Sequence, residues 1–441
     1  MGNRKVFISF LGNSRYKNAS FKCLDGVIAD KTPFVQEVLC DSFCRDIEKT
    51  KDFAGWENAD VDIFIICTSG DNGSFAKNWI GENNGTPLST ILSAKKYASK
   101  VKPVQLPEGA ENDMWQVFNS VYSLIHEQQS VDEGDHIYLD VTNVFRSFPV
   151  MVTTLLQYAK FMKKCSTKGL YYGMLTNEND INKIQDMTPI LELQDCVDVA
   201  SGFIQYGRLN KLAEKVEKYG LTQLNRSLNS LDKQLLSNQG EIRQGKEMFQ
   251  IKGQRRQLNQ APLNAPIREV MDKALSELSS FKSEDSLENY VIAARWAFKH
   301  DMLAQAYAFG KEYINIKVAE SLDGSLNPYK IEDDDDRDKK QHKKRDYLTF
   351  INGLLAQNNR ELQDYLRRQE ADFVSICEKI LQIKYIQELR PYYAILNRNR
   401  NQICHVKMGN NYEKLKDDFI ENFNKCLEII QKCESDLTKQ L

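Results

Sequence analysis

The first 200 residues alternate short apolar runs with stretches of helical period, and the remainder keeps the helical period alone. The runs Val6 to Leu11, Val61 to Thr68, Lys102 to Leu106, His136 to Val141 and Leu170 to Leu175 are apolar without strict alternation. Strands covered on both faces have this pattern, which predicts βαβ units and a largely parallel sheet. Helices are predicted between them over Phe34 to Lys49, Ser89 to Lys100, Asp113 to Gln129 and Val150 to Lys164. From about Ser201 the strand signal stops. Tyr206 to Leu235 and Ala265 to Phe281 predict a helical connector, interrupted by an exposed Gln/Arg/Lys-rich interval from Asn238 to Gln260.

A third region opens at Leu287 to Ile316, where Ile292, Trp296, Leu303, Tyr307 and Ile314 mark one buried stripe. The charge run Glu332 to Arg345 has no apolar residue and is expected to be an exposed loop rather than a metal site. Helices resume over Tyr347 to Gln357, Asn359 to Ile383, Ile386 to His405 and Tyr412 to Lys432, a small bundle. The expected class is α/β plus all-α: a Rossmann-like parallel-sheet domain over 1–200, a helical connector over 201–285 and a helical bundle over 286–441. A chain of 441 residues also exceeds one typical core.

Composition narrows the function classes. With 59 basic and 61 acidic residues, net charge −2, no whole-chain field draws in nucleic acid, so any RNA contact is local, and near-neutrality argues against a histone-like or polybasic binder. Ten dispersed cysteines without a CxxC pair, and a start lacking a signal-like apolar run, suggest reduced thiols in a cytoplasmic protein. No window reaches the roughly 18 apolar residues of a membrane span.

The loop after each strand carries the chemistry, because ligands of open α/β sheets bind outside the carboxyl ends of the strands. The first strand runs into Gly12, Asn13 and Ser14; the second into Thr68, Ser69 and Gly70; the fourth into Thr142, Asn143 and Arg146; the fifth into Thr176 and Asn177. Small, hydroxyl, amide and guanidinium groups are suited to phosphates and sugars. The same residue types make ordinary turns, so one loop alone decides little. No GxGxxG or Walker A pattern occurs.

The end of the predicted helix Ile386 to His405 is unusual for a bundle, since Asn397, Asn399 and Asn401 weaken it locally and call for some compensating role. Arg398, Asn401 and His405 would share a helical face, whereas Arg400 and His405 diverge by roughly 140°. Arg400 and His405 would therefore converge only through a distorted helix or across the two-fold axis of a dimer. Histidine moves protons near neutral pH, and arginine holds a phosphate while stabilising transition-state charge. With RNA the neighbouring 2'-hydroxyl is the nucleophile, so such a cluster supports metal-free phosphodiester cleavage. A partly buried histidine beside solvent-facing arginines is the plainer reading of the same spacing.

The loop Asp140-Val-Thr-Asn-Val-Phe-Arg-Ser-Phe-Pro149 resembles the Asp-x-Thr-His-Gly-Phe-Arg-x-x-Pro motif of the CRISPR-associated Rossmann-fold (CARF) sensor domain, matching at Asp140, Thr142, Phe145, Arg146 and Pro149. The segment Arg400 to His405 resembles the Arg/His motif of HEPN ribonucleases. A CARF sensor joined to a C-terminal HEPN domain is the layout of the accessory ribonucleases of type III CRISPR systems, which serve antiviral defence. The resemblance implies a pocket for a cyclic oligoadenylate activator, cyclic tetra-adenylate ahead of cyclic hexa-adenylate, built from Gly12, Asn13, Ser14, Thr68, Ser69, Gly70, Thr142, Asn143 and Arg146. It implies catalysis by Arg400 and His405 with Asn401 orienting the phosphate, and Arg398 as the alternative arginine. The implied substrate is single-stranded RNA, cut to 2',3'-cyclic phosphate and 5'-hydroxyl ends without a metal. The implied assembly is a homodimer, with higher assembly left open and neither DNA nor membrane as partner. The family's His-Gly pair is Asn143-Val144 here, which alters the pocket. The alternative from another class is a non-catalytic sensor whose helical domain only dimerises or binds a partner.

Overall fold

Five of the apolar runs become the parallel centre of one sheet in a computed structural model, which describes residues 4–45, 60–109, 113–126, 131–143, 148–175, 180–332, 334–357, 359–367, 370–404 and 411–438. The chain divides into two compact units, residues 1–194 and 195–441. The first unit runs β1 (Lys5–Leu11), β2 (Ser20–Lys22), α1 (Val35–Cys44), β3 (Val61–Cys67), α2 (Leu88–Ser93), β4 (Val101–Gln105), α3 (Met114–His126), β5 (His136–Asp140), α4 (Phe148–Lys163), β6 (Ser166–Met174) and β7 (Ile181–Asp186). Helix α5 (Thr188–Tyr206) spans the boundary.

Among the described residues the sheet order is β2-β7-β6-β5-β1-β3-β4. Strands β6, β5, β1, β3 and β4 run parallel to one another, and β7 turns back antiparallel on β6. Successive side chains of a strand point to opposite faces. Phe7, Ile63, Ile65 and Tyr138 pack with Val38, Leu39 and Phe43 of α1 on one face. Val6, Ile8, Phe64, Ile66, Ile137 and Leu139 pack with Val121 and Leu124 of α3 and Leu155 and Ala159 of α4 on the other. Burying a large apolar side chain of this kind contributes about 1.5–3 kcal/mol. Two helical layers thus explain why the central runs β1, β3 and β5 are largely apolar without strict alternation. Strands β2 and β7 and the shortness of α2 differ from expectation. β2 has three residues, and β7 (Ile-Asn-Lys-Ile-Gln-Asp) is largely polar and exposed, as a segment near a sheet edge is.

The second unit is helical: α6 (Asn210–Lys218), α7 (Thr222–Ser237), α8 (Lys246–Gln260), α9 (Ala265–Ser276), α10 (Glu288–Lys299), α11 (Leu303–Ser321), α12 (Arg337–Ala356), α13 (Asn359–Leu366), α14 (Ala371–Leu381), α15 (Lys384–Cys404) and α16 (Tyr412–Thr438). Two expectations are corrected. The interval 238–260 is not simply exposed: α8 buries Met248, Ile251 and Leu258, and Arg255 pairs with Asp272. The charge run 332–345 is not a loop past Asp336, whose side chain caps α12 by accepting from the Lys339 N–H at 2.7 Å. Asp335 is buried there between Lys339 and Lys343, at 2.8 and 2.6 Å. The expected helix Leu287 to Ile316 is broken where Asp301 adopts φ 56°, giving α10 and α11. The α/β plus all-α class stands.

Candidate functional site

Strands β1 and β5 lie side by side, and from them the sheet is built outward in both directions, to β3 and β4 and to β6. Loops leaving such neighbours in opposite directions open a crevice. A cavity of about 310 Å³ lies there, lined by Phe10, Leu11, Gly12, Asn13, Ser14, Tyr16, Ile66, Thr68, Leu106 and Asn143. The lining combines apolar side chains with amides and hydroxyls, and none of these lining residues is a carboxylate.

Five predicted pocket residues, Gly12, Asn13, Ser14, Thr68 and Asn143, are thus brought together. Gly12 leaves room for the Tyr16 hydroxyl, which a Cβ there would displace. Burial pushes the Tyr16 phenol well up, so it stays neutral. The Thr68 hydroxyl accepts from the Ser74 N–H at 2.7 Å, while Ser74 Oγ accepts from the Thr68 N–H at 2.8 Å, closing the turn in which Gly70 adopts φ 81°. Ser69 donates to the Leu106 carbonyl. Thr142 bonds the Asp140 carboxylate, and its Oγ accepts from the Gly173 N–H at 2.8 Å. Ser69 and Thr142 therefore spend their hydroxyls on the frame. Asp140 is fully buried, and burial pushes its carboxyl up although Ser9 and Thr142 donate to it. Arg146 and Thr176 to Asn177 lie outside the described residues.

The crevice depends on a residue that the sequence reading passed over. Asn78, fully buried in the π-turn Phe75–Trp79, donates through Nδ2 to the carbonyls of Gly12 at 2.7 Å and Ser14 at 3.1 Å. Its Oδ1 accepts from Asn84 Nδ2 at 2.7 Å. The β1 loop is thereby held from the β3 side. Asn83-Asn84-Gly85 was the available signal, a turn tripeptide soon after a strand.

In the helical unit the asparagines of α15 find their compensation. Asn399 is buried and donates to the Tyr307 hydroxyl at 3.1 Å and to Asp418 Oδ2 at 2.8 Å. Asn397 accepts from Lys311 Nζ at 2.7 Å, and Asn401 accepts a long bond from Arg400 Nη1 at 3.4 Å. The Asn397 and Asn399 bonds tie α15 to α11 and α16, so the polar segment persists as helix through Cys404. Arg398 is exposed, whereas Arg400 is half-buried on the side of Lys311. His405 lies outside the described residues. Lys311 was not anticipated; a charged Lys311-Glu312 pair within the apolar stripe of α11 was its only signal.

Glu332, Asp334 and Asp335 bring carboxylate oxygens within 4.8 Å of one another. Asp335 already binds two lysines, Lys339 and Lys343, which offset two of the three negative charges. Among the described residues, no helix is long and apolar enough to cross a membrane.

No family model matches the chain. The CRISPR-associated protein MJ1674 of Methanocaldococcus jannaschii is 25% identical over 355 residues, 72% of this chain. The chain is a relative of a CRISPR-associated protein. That kinship agrees with the resemblance carried by the Asp140 and Arg400 motifs. The matched stretch spans about half of the relative, 54% of its length. Among solved structures, Enterococcus italicus Csm6 bound to cyclic hexa-2'-fluoro-hexa-dAMP aligns over 98% of this chain and 94% of its own, with 12% identity and a TM-score of 0.45.

Proposed function

We propose that this CRISPR-associated protein is a single-stranded-RNA endonuclease of the CARF–HEPN kind, switched on by a cyclic oligoadenylate. The observation that carries the reading is Arg400: a half-buried guanidinium without a carboxylate partner among the described residues, five positions before His405. An arginine placed so has an unmet need for an anion, and a scissile phosphate supplies it.

Helix α15 is continuous through Cys404, so nothing in the described part of the segment relieves the roughly 140° divergence of Arg400 and His405. A homodimer pairing two copies of the segment would bring one chain's arginine to the other's histidine. The histidine would take the 2'-hydroxyl proton as the 2'-oxygen bonds to phosphorus, the P–O5' bond would break with the departing 5'-oxygen taking up a proton, and the arginine would neutralise the growing phosphorane charge, with no metal in the scheme.

In the first unit, the apolar lining residues Ile66 and Leu106 suit a base, and the amides of Asn13 and Asn143 suit sugar and phosphate. At about 310 Å³ the cavity is at the small end of ligand pockets, about 300–1,000 Å³. One chain would therefore hold part of a ring and a second chain the rest, cyclic tetra-adenylate ahead of cyclic hexa-adenylate. Activator binding would favour one state of a pre-existing equilibrium.

The chemistry is tested by mass spectrometry of RNA fragments formed with activator in EDTA. Fragments ending in 2',3'-cyclic phosphate and 5'-hydroxyl are expected. Ends of 3'-hydroxyl and 5'-phosphate, or loss of cleavage on chelation, would overturn the metal-free scheme.

A further inference from the structure

Where α11 packs on α15, Lys311 reaches across to within one helical turn of Arg400. Lys311 Nζ donates to Asn397 Oδ1 at 2.7 Å, and Asn397 sits one helical turn before Arg400 and Asn401. Burial and then the nearby Arg400 guanidinium push the Lys311 ammonium down to about 8, while Glu312 on its own helix and Cys404 on α15 act in the opposite direction. Among the described residues neither Lys311 nor Arg400 forms an ion pair with a carboxylate. Glu312, itself pushed up by burial, only partly offsets the repulsion.

Like charges brought together out of water oppose folding, and such an arrangement persists where a ligand repays it. One phosphate between the two groups would supply the missing countercharge, Arg400 offering a planar fork and Lys311 a point charge. We infer that Lys311 is a phosphate-binding residue of the ribonuclease centre, sharing with Arg400 one phosphate of single-stranded RNA. The inference rests on the ribonuclease reading above.

Its test uses full-length protein with cyclic tetra-adenylate and a 2'-O-methylated single-stranded RNA, which binds but lacks the nucleophile for cleavage. Each phosphate contact contributes a slope of about −0.7 to log affinity against log salt for single strands. Lys311→Gln is expected to make the slope shallower by about 0.7 and to slow cleavage of ordinary RNA about tenfold. Lys311→Arg is expected to keep the slope.

Stability should move the other way. Because the folded value lies below the unfolded one of 10.5, the folded protein binds fewer protons here than the unfolded chain between about pH 8 and 10.5. The penalty is full below about pH 8 and lifts as pH rises through that window. Lys311→Gln should therefore melt higher than the parent at pH 7, by a margin that shrinks toward pH 10. An unchanged salt slope in a Lys311→Gln protein that still binds RNA overturns the inference and leaves the ribonuclease reading intact. Failure of the parent protein to bind RNA at all overturns both.

Discussion

Arg400→Ala is expected to lower activated RNA cleavage by about 10²–10³-fold, the usual effect of deleting a donor aimed at developing negative charge. Arg398→Ala should stay within about threefold, as for an exposed surface cation. The two arginines sit two positions apart on one helix, so sequence alone leaves the choice open. Exposure separates them: Arg398 faces solvent, while Arg400 is half-buried beside Lys311 and bonded to Asn401. Arg400 has no carboxylate partner among the described residues, so its removal relieves repulsion and should leave the melting temperature unchanged or higher. Steady-state cleavage and thermal unfolding of both variants check this. Full activity in Arg400→Ala with loss in Arg398→Ala would transfer the role, and a large drop in melting temperature would make Arg400 structural.

Asn78→Ala is expected to raise the activator concentration for half-maximal cleavage by at least about tenfold, with the rate at saturating activator little changed. The variant removes the donor shared by the Gly12 and Ser14 carbonyls and the acceptor of Asn84. A buried polar group left without its partner costs about 1–3 kcal/mol, and about 1.4 kcal/mol is tenfold in affinity. The cost falls on the β1 loop that lines the crevice, far in sequence from α15. Activation curves over a range of cyclic tetra-adenylate concentrations read the effect directly. A folded Asn78→Ala protein with an unshifted curve would remove the β1 loop from the activator site.

The parallel sheet was legible because covering both faces forces apolar residues onto both sides of a strand, visible at Ile63 to Cys67 and, with Ser9 as the one polar member, at Phe7 to Leu11. The elements that escaped are those held by polar contacts. Helix α12 begins in pure charge and is fixed by the Asp336 cap and the buried Asp335, and α8 carries few apolar residues in a glutamine-rich run. Periodicity registers apolar stripes and passes over such devices. The Gly12, Thr68 and Asn143 loops were legible as strand ends of one edge, and the structure sets them around one cavity. Asn78 and Lys311 were not, since each works on a residue more than sixty positions away through one or two hydrogen bonds that leave no local pattern.

A ring nucleotide switching a ribonuclease centred on the Arg400 and His405 motif is the central claim. The measurement that tests it most directly is cleavage of a fluorescent single-stranded RNA with no activator, with cyclic tetra-adenylate and with cyclic hexa-adenylate, run beside His405→Ala. The predicted result is cleavage that rises sharply with one ring, cyclic tetra-adenylate first, and is lost in His405→Ala under every condition. Equal, ring-independent cleavage by both proteins, or none with either ring, would contradict the claim.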